Sequence, residues 1–339
     1  MIRRLLHKVK KQLEPKALVL MYHRVAELEP DIWRLAVSPG HFEEQLQLLS
    51  RKWRVMPLPE LTEDLVSNKL RRKSVALSFD DGYVDNFLFA KPLLEKYKLP
   101  ATFFACSGNA GQQSEFWWDE LERIILHTPQ LPSSFSIPLE NARVTAELGE
   151  EKELTEGLKL QHRQWKAYVQ PPPSSRAALF LQLWEALKPL PHPRQQEHLA
   201  QIKAWAGVTY ICPRPLSHSM NTEQLLALGS NKLFSFGAHT VSHPDLAAHP
   251  KAMQQREIVE NKQFLEELGQ KCVRVLAYPY GSYSPDTMAV AAEMGFTAAF
   301  TTDSRPVKPN SEPYRLGRFL VENWNGEELN HHMRQWLMA

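Results

Sequence analysis

The sequence predicts an α/β fold built on a parallel sheet, because short β-rich runs alternate with helical patterns along most of the chain. Six runs are predicted as strands: residues 18–22, 74–79, 101–106, 233–237, 273–278 and 296–301. Five stretches between them are predicted as helices: residues 41–50, 86–96, 222–228, 250–268 and 286–294. Start signals at Asn221 or Thr222 and stop glycines at Gly229, Gly269 and Gly295 bound several of these helices. The alternation fits an α/β barrel or a doubly wound sheet.

The alternation breaks between residues 112 and 218, a stretch with helical patterns and proline clusters but few β-branched runs. We therefore predict a mainly helical insertion at residues 112–218, within an α/β domain formed by residues 17–111 and 219–339. Because aromatic side chains dominate burial, the tryptophans of the insertion are expected to form its own core rather than a platform for sugar stacking. They are Trp117, Trp118, Trp165, Trp184 and Trp205.

Residues 1–16 are predicted to form a basic amphipathic helix, since apolar residues recur there at helical spacing with lysines and arginines between them. Such a helix can rest on an anionic membrane surface or pack on the domain, and the sequence leaves both open. The chain has no apolar run of about 18 residues, which a membrane span needs, and no apolar segment typical of a secretory signal. We therefore expect a cytoplasmic location, and of the two alternatives for residues 1–16 the first would add peripheral contact with the inner face of the membrane.

The bulk composition excludes several other classes of protein. A net charge of +2 over 339 residues gives no reason to expect a nucleic-acid partner, which would favour a strongly basic face. Cys106, Cys212 and Cys272 are too few and too far apart for a disulfide framework or a cysteine-based zinc site. A reducing compartment fits this cysteine usage best, and oligomeric state does not follow from the sequence.

Two adjacent carboxylates, Asp80 and Asp81, come directly after the predicted strand at residues 74–79. Catalytic and binding sites of α/β folds are assembled at the carboxyl ends of strands, so this pair is typical of a cation site or of proton transfer. The alternative is a turn in which the two acids cap the following helix.

Two histidines, His239 and His243, follow another predicted strand. Residues four apart share one face of a helical turn, so we expect both imidazoles to reach one ion. Together with Asp81 they would form a set of two histidines and one carboxylate, which leaves coordination positions open for catalysis. Asp80 would then remain free as a general base that takes a proton from an attacking water.

Three motifs resemble those of the polysaccharide deacetylase family, also called the NodB-homology domain or carbohydrate esterase family 4. They are Ser-Phe-Asp-Asp-Gly at residues 78–82, His-Thr-Val-Ser-His at 239–243 and Ala-Tyr-Pro-Tyr-Gly at 277–281. The resemblance covers about residues 18–320 apart from the insertion. It implies a distorted (β/α) barrel of about seven strands and a divalent metal, zinc first, with cobalt, nickel or manganese as alternatives. It also implies Asp80 as the base, Asp81, His239 and His243 as the metal ligands, and the backbone N–H of Tyr280 as an oxyanion donor.

The chain departs from the family pattern at two places. Ala277 stands where many members have an arginine, so Arg318 becomes the candidate that orients Asp80. The late histidine that supplies the acid in many members is not evident near Leu320. Instead, the Tyr-His pair ending at His23 is similar to a segment of the biofilm-polysaccharide branch, where this early histidine is the acid. His23 is therefore the candidate acid.

The sequence thus predicts a metal-dependent hydrolase that removes N-acetyl groups from an amino-sugar-containing glycan or glycan precursor. Two alternatives stay open: a deformylase or amidase acting on a smaller amide, and a non-catalytic glycan-binding protein with the same fold. We expect Asp85 and Asn86 to start the helix after the acid pair rather than to touch substrate. The histidines that fit no ligand spacing are expected on the surface: His127, His162, His249, His331 and His332.

Overall fold

The computed structural model describes residues 14–112, 114–140, 142–208, 214–269 and 273–338. Most of the predicted amphipathic helix at residues 1–16, as well as Cys212 and Cys272, therefore lies outside the described residues. Residues 14–16 are not helical. Pro15 explains this end of the segment, because it has no N–H to donate and disfavours a helical conformation in the residue before it.

The described residues divide into two compact units. The first contains the chain up to Glu27, Leu35–Gly111 and the chain from Met220 onward, and the second contains Leu28–Arg34 and Gln112–Ser219. The segment Leu28–Arg34 was not expected in the second unit, because it lies far from residues 112–218 in sequence.

The strands and helices are numbered in chain order. The strands are β1 Ala17–Tyr22, β2 Arg24–Val25, β3 Ala36–Val37, β4 Arg54–Val55, β5 Ser74–Phe79, β6 Ala101–Ala105, β7 Ser134–Leu139, β8 Ala142–Glu147, β9 Phe234–Ala238, β10 Val275–Ala277, β11 Ala298–Phe300 and β12 Phe319–Leu320. The helices are α1 Pro39–Lys52, α2 Leu58–Val66, α3 Lys91–Tyr97, α4 Trp117–Glu122, α5 Glu156–Gln164, α6 Ser175–Leu187, α7 His192–Trp205, α8 Thr222–Gly229, α9 Lys251–Glu267, α10 Pro285–Glu293 and α11 Gly326–Met338. No helix in the described part of the chain is both long enough and apolar enough to cross a bilayer.

All six predicted strands are confirmed, as β1, β5, β6, β9, β10 and β11. Every residue of β1 and of β5 is buried. Parallel strands covered on both faces consist of continuous apolar runs, which is the pattern that made these segments recognisable in the sequence.

The main sheet has the strand order β11-β10-β9-β6-β5-β1-β12, with β4 paired to β5 outside this path. All of its strand pairs are parallel. The segment 316–320 approaches both ends of this order: Leu316 bridges to Phe300 of β11, and Phe319 pairs with Leu20 of β1. The sheet is thus curled into a distorted barrel, as the family resemblance implied, rather than a doubly wound sheet.

The five predicted helices are confirmed with small shifts at their ends, although residues 86–90 form a π-helical turn before α3. Asn221 begins α8 with a capping box, in which its side chain accepts a hydrogen bond from Gln224 N. Gly269 and Gly295 adopt the left-handed backbone conformation after α9 and α10, which is the role of a stop glycine. Gly229 is instead the last residue of α8. Helices α2 and α11 of this unit were not predicted.

The second unit contains helices α4 to α7 and one antiparallel hairpin, β7–β8. The sequence missed the hairpin even though buried and exposed residues alternate along β7. Pro138 lies inside this strand, and proline argues against a strand in a sequence pattern because it cannot donate a ladder hydrogen bond. Trp117, Trp118 and Trp165 are buried, which confirms the core interpretation for these three residues.

Candidate metal centre and its surroundings

The candidate residues follow four strands of the one parallel sheet. His23 follows β1, Asp80 and Asp81 follow β5, His239 follows β9, and Tyr280 lies three residues after β10. Because these parallel strands end at the same edge of the sheet, side chains such as those of Asp81 and His239 meet although they are 158 positions apart in sequence.

Asp81, His239 and His243 form a buried cluster of potential ligand atoms. Asp81 Oδ1 lies 3.4 Å from Nε2 of His239 and 3.4 Å from Nε2 of His243. Two ligands that are each about 2.1 Å from a tetrahedral zinc ion lie about 3.4 Å apart, so these spacings fit such an ion. The group is the one set of three or more such side chains found among the residues that the structure describes.

The tautomer of His239 is fixed by its surroundings. Its Nδ1 lies 2.9 Å from the carbonyl oxygen of Ala277. A carbonyl only accepts, so Nδ1 carries the hydrogen and donates it, which leaves the Nε2 lone pair directed at the cluster. Ala277, which stands where the family resemblance led us to look for an arginine, thus contributes through its backbone.

Burial and charge set the protonation states of the cluster. Burial lowers the pKa of His243 to about 3, so its imidazole is neutral at physiological pH and can act as a ligand. Burial alone would raise the pKa of Asp81, but hydrogen bonding to His239 and the charges of nearby imidazoles hold it below its usual range. For His239, burial lowers the pKa, yet the hydrogen bond with Asp81 and the charge of Asp80 raise it above its ordinary value.

The two histidines do not share a helical turn, so the prediction that a helical turn brings their imidazoles together was wrong. The segment 239–243 is a loop in which Thr240 (φ 67°) and His243 (φ 56°) both adopt the left-handed conformation. This conformation breaks any helix, and it turns the backbone so that both imidazoles point at Asp81.

Helix α9 holds this loop through two buried polar side chains. Glu257 accepts hydrogen bonds from Val241 N (2.9 Å), Ser242 N (2.8 Å) and Ser242 Oγ (2.8 Å). Asn261 Oδ1 accepts from His239 N at 2.9 Å. Neither residue was predicted from the sequence, although their spacing of four on a predicted helix puts them on one face and was a usable signal.

We expect Glu257→Gln to weaken zinc binding about tenfold, because a glutamine offers one oxygen where the loop donates three hydrogen bonds. Titration against a fluorescent zinc chelator measures the dissociation constant. Glu260→Gln is the matched control, since it makes the same change at an exposed position of α9. Equal zinc affinity in the two variants would contradict this role of Glu257.

Asp80 lies beside the cluster but has a different partner. Arg318 Nη1 donates to Asp80 Oδ1 at 2.6 Å and Nη2 donates to Oδ2 at 2.7 Å, with both side chains buried. Burial is the largest single influence on the pKa of Asp80 and would raise it, but the charges of Arg318, His239 and His23 and the Arg318 hydrogen bonds together hold this pKa below its usual range. Asp80 is therefore a carboxylate held in a fixed orientation by two charge-assisted hydrogen bonds.

His23 and Tyr280 lie on two sides of this arrangement. His23 Nε2 is 4.0 Å from Asp80 Oδ2. The ring of Tyr280 packs edge-on against that of His243, with 4.4 Å between centroids, and its backbone has the left-handed φ of 57°. Asp81, Thr240, His243 and Tyr280 are four of the eight non-glycine residues with positive φ in the described chain. Such strained backbone gathers at functional sites.

The helical turn after the acid pair starts at Asn86 with Asp85 at its N-cap position, as predicted, although the Asp85 side chain makes no capping hydrogen bond. Two predictions that placed histidines on the surface were wrong. His162 is buried and hydrogen-bonded to Ser174 Oγ, and burial lowers its pKa to about 4. His249 is buried as well. Histidine occurs both in protein cores and on surfaces. The sequence around a single histidine therefore does not show which of the two applies.

Comparison with known proteins gives matches to the sequence and to the fold. The sequence profile of the polysaccharide deacetylase family matches residues 67–135 and 203–299. The chain is 21% identical over 339 residues to the poly-β-1,6-N-acetyl-D-glucosamine N-deacetylase of Staphylococcus aureus, across 96% of this chain and 84% of the relative.

Two solved structures share the fold. IcaB from Ammonifex degensii matches with a TM-score of 0.57 and 20% identity, over 96% of this chain and 98% of that one. The Streptococcus pyogenes deacetylase PplD matches with a TM-score of 0.55 and 20% identity, over 94% of this chain and 99% of that one.

Proposed function

We propose, from the premise that the chain belongs to the polysaccharide deacetylase family, that it removes N-acetyl groups from a polymer of N-acetylglucosamine or from its precursor. The similarity to the staphylococcal N-deacetylase supports a β-1,6-linked N-acetylglucosamine chain as the substrate. The observation that carries the proposal is the pair of adjacent aspartates with different partners: Asp81 faces two imidazoles, while Asp80 is clamped by Arg318.

Asp81, His239 and His243 are the residues that would hold the metal. Two imidazoles and one carboxylate suit zinc best, with cobalt, nickel or manganese as alternatives. When bound, such an ion polarises the acetyl carbonyl and lowers the pKa of water.

Asp80 acts as the general base in this proposal. Arg318 occupies one lone pair on each carboxylate oxygen, so each oxygen keeps a second lone pair to accept a proton from water. The Arg318 charge keeps Asp80 ionised, and the fixed carboxylate needs no reorganisation when the water attacks.

His23 completes the reaction as the acid. The water oxygen forms a bond to the acetyl carbon, its proton passes to Asp80, and the carbon–nitrogen bond breaks. His23 donates a proton to the departing nitrogen, so the products are acetate and a free amino sugar. The backbone N–H of Tyr280 is the proposed donor to the oxyanion that forms between these steps.

The direct test is acetate release by the zinc-loaded chain from β-1,6-linked N-acetylglucosamine oligomers, with mass spectrometry to count the acetyl groups lost. The same protein treated with a chelator is the control, and an N-formyl analogue tests for a deformylase. A zinc-loaded chain that releases no acetate from any N-acetylated amino-sugar oligomer would contradict the proposal.

The cytoplasmic location and the membrane contact of residues 1–16 stay predictions.

A further inference from the structure

His23 is held in place by its backbone rather than by its own side chain. It is the single residue between β1 and β2, and its side chain is 14% exposed. Its ring atom Nδ1 is buried without a hydrogen-bond partner among the described residues. The position of the ring beside Asp80 therefore depends on the main chain on either side of it.

That main chain is tied at three points, at Tyr22, His23 and Val25, to the segment 80–86 that carries Asp80. Asp80 N donates to the carbonyl oxygen of Tyr22 at 2.9 Å. Asn86 Nδ2 donates to the carbonyl oxygen of His23 at 2.9 Å, and Asp85 Oδ1 accepts from Val25 N at 2.9 Å. The backbone around the candidate acid, His23, is thus hydrogen-bonded to the segment that carries the candidate base, Asp80.

A buried ion pair, Arg24 with Asp85, also joins these two segments. Asp85 is fully buried and Arg24 is 4% exposed. Arg24 Nε lies 2.5 Å from Asp85 Oδ2, and its guanidinium group lies 3.9 Å from the centre of the Tyr83 ring. Burying two charges is costly, and well-packed apolar residues often stabilise a fold as much or more, so stability alone does not account for this pair. Asp85 also makes no cap to the helical turn after it, which removes the simplest structural explanation.

We propose that Arg24, Asp85 and Asn86 are positioning residues for catalysis: they hold the backbone around His23 so that its imidazole stays where it can protonate the departing nitrogen. The inference rests on the proposed function, since it assigns to these residues a part in the acid step. In this proposal the Asn86 amide and the Arg24–Asp85 pair act through the backbone that they hold, and not directly on the substrate.

The acid step can be isolated by changing the leaving group. An amide nitrogen must be protonated before it departs, whereas the phenolate of 4-nitrophenyl acetate leaves without a proton. Loss of a correctly placed acid therefore lowers the hydrolysis of the amide far more than that of the ester. A general loss of structure lowers both equally.

The experiment measures kcat/KM for N-acetylglucosamine oligomers and for 4-nitrophenyl acetate in the zinc-loaded enzyme. His23→Ala sets the reference and is expected to lower amide hydrolysis about a hundredfold, with a much smaller change for the ester. Asn86→Ala is expected to lower amide hydrolysis about tenfold with the same selectivity, because a small displacement of a catalytic group is costly. Asp80→Asn lowers both activities, which shows that both substrates use this site.

Two further variants sharpen the result. Asp85→Asn should show the same selective loss; if loss of the Arg24–Asp85 ion pair prevents folding of this variant, Asn86→Ala decides the question. The double variant His23→Ala/Asn86→Ala should be no slower on the amide than His23→Ala alone, because the two changes remove one function. Asn231→Ala is the matched control, since it removes an asparagine side chain that hydrogen-bonds Leu233 N just before β9, at the opposite edge of the sheet.

The inference is overturned if Asn86→Ala lowers amide and ester hydrolysis equally, if it lowers neither, or if its effect adds to that of His23→Ala. A wild-type enzyme that releases no acetate from amino-sugar oligomers contradicts the proposed function itself, and that outcome is distinct from these three.

Discussion

Asp80→Asn is expected to lower acetate release by about a thousandfold or more while zinc binding persists. Asparagine cannot accept a proton from water, and general base catalysis contributes about a hundredfold to ten-thousandfold to such reactions. Zinc binding should remain because the clustered ligand atoms belong to Asp81, His239 and His243. Acetate release measures the first effect, and elemental analysis of the purified variant measures the second.

The control for this variant also replaces Arg318, the buried partner of Asp80. Asparagine at position 80 leaves the guanidinium group without its carboxylate, and breaking a buried ion pair costs about 3–5 kcal/mol of the free energy of unfolding. The double variant Asp80→Asn/Arg318→Met removes that unpaired charge, so it should regain thermal stability without regaining activity. If Asp80→Asn kept activity within about tenfold of the wild type, Asp80 would not be the base.

The strands that position the site could be predicted because their signal is local. Ser74–Phe79 is an uninterrupted apolar run, and the polar residues after it mark the carboxyl end of a parallel strand. The same holds for β9 and the histidines that follow it. Sequence therefore places the candidate ligands at one edge of the sheet without any knowledge of distances.

The conformation of the histidine loop could not be predicted from the same reasoning. A spacing of four suggested a helical turn, but Thr240 and His243 adopt positive φ, which few non-glycine residues do. The hydrogen bonds from this loop to Glu257 and Asn261 help to offset the strain, and they come from a helix that follows in sequence. The spacing of the histidines in residues 239–243 contains no information about these hydrogen bonds from another element.

Strand β12 was missed for a related reason. It has two residues, too few to show any periodicity, yet it pairs with β1 next to the point where Leu316 bridges to β11. Arg318 lies inside this closing segment and is buried. From the chain alone it was a candidate partner of Asp80 only through the family pattern, because the contact joins residues 238 positions apart.

The neighbouring acids Asp80 and Asp81 have different proposed functions because they have different partners. Both are buried, and burial alone would raise the pKa of each. Asp81 is kept ionised chiefly by imidazoles that can share an ion with it, and Asp80 by a guanidinium group that cannot bind one. When the environments of two carboxylates differ in this way, one can serve as a metal ligand and the other as a general base.

Arg318→Met should lower deacetylation at neutral pH by about a hundredfold and move the acid limb of the pH profile to higher pH. Burial is the largest influence on the pKa of Asp80 and raises it, so removing the Arg318 charge and hydrogen bonds leaves burial opposed only by the nearby imidazoles, and the pKa rises. A larger fraction of Asp80 is then protonated at neutral pH and cannot act as base. Raising the pH restores the carboxylate, so part of the lost activity should return in alkaline buffer. The measurement is kcat/KM for acetate release across a range of pH.

Arg318→Lys separates the charge of this residue from its geometry. Lysine keeps a positive charge beside Asp80, so the acid limb should stay near that of the wild type, but it lacks the planar fork that orients both carboxylate oxygens. Its rate should therefore fall at every pH without a shift of the profile. If Arg318→Met also reduced the rate equally at every pH, the guanidinium group would orient Asp80 without controlling its ionisation.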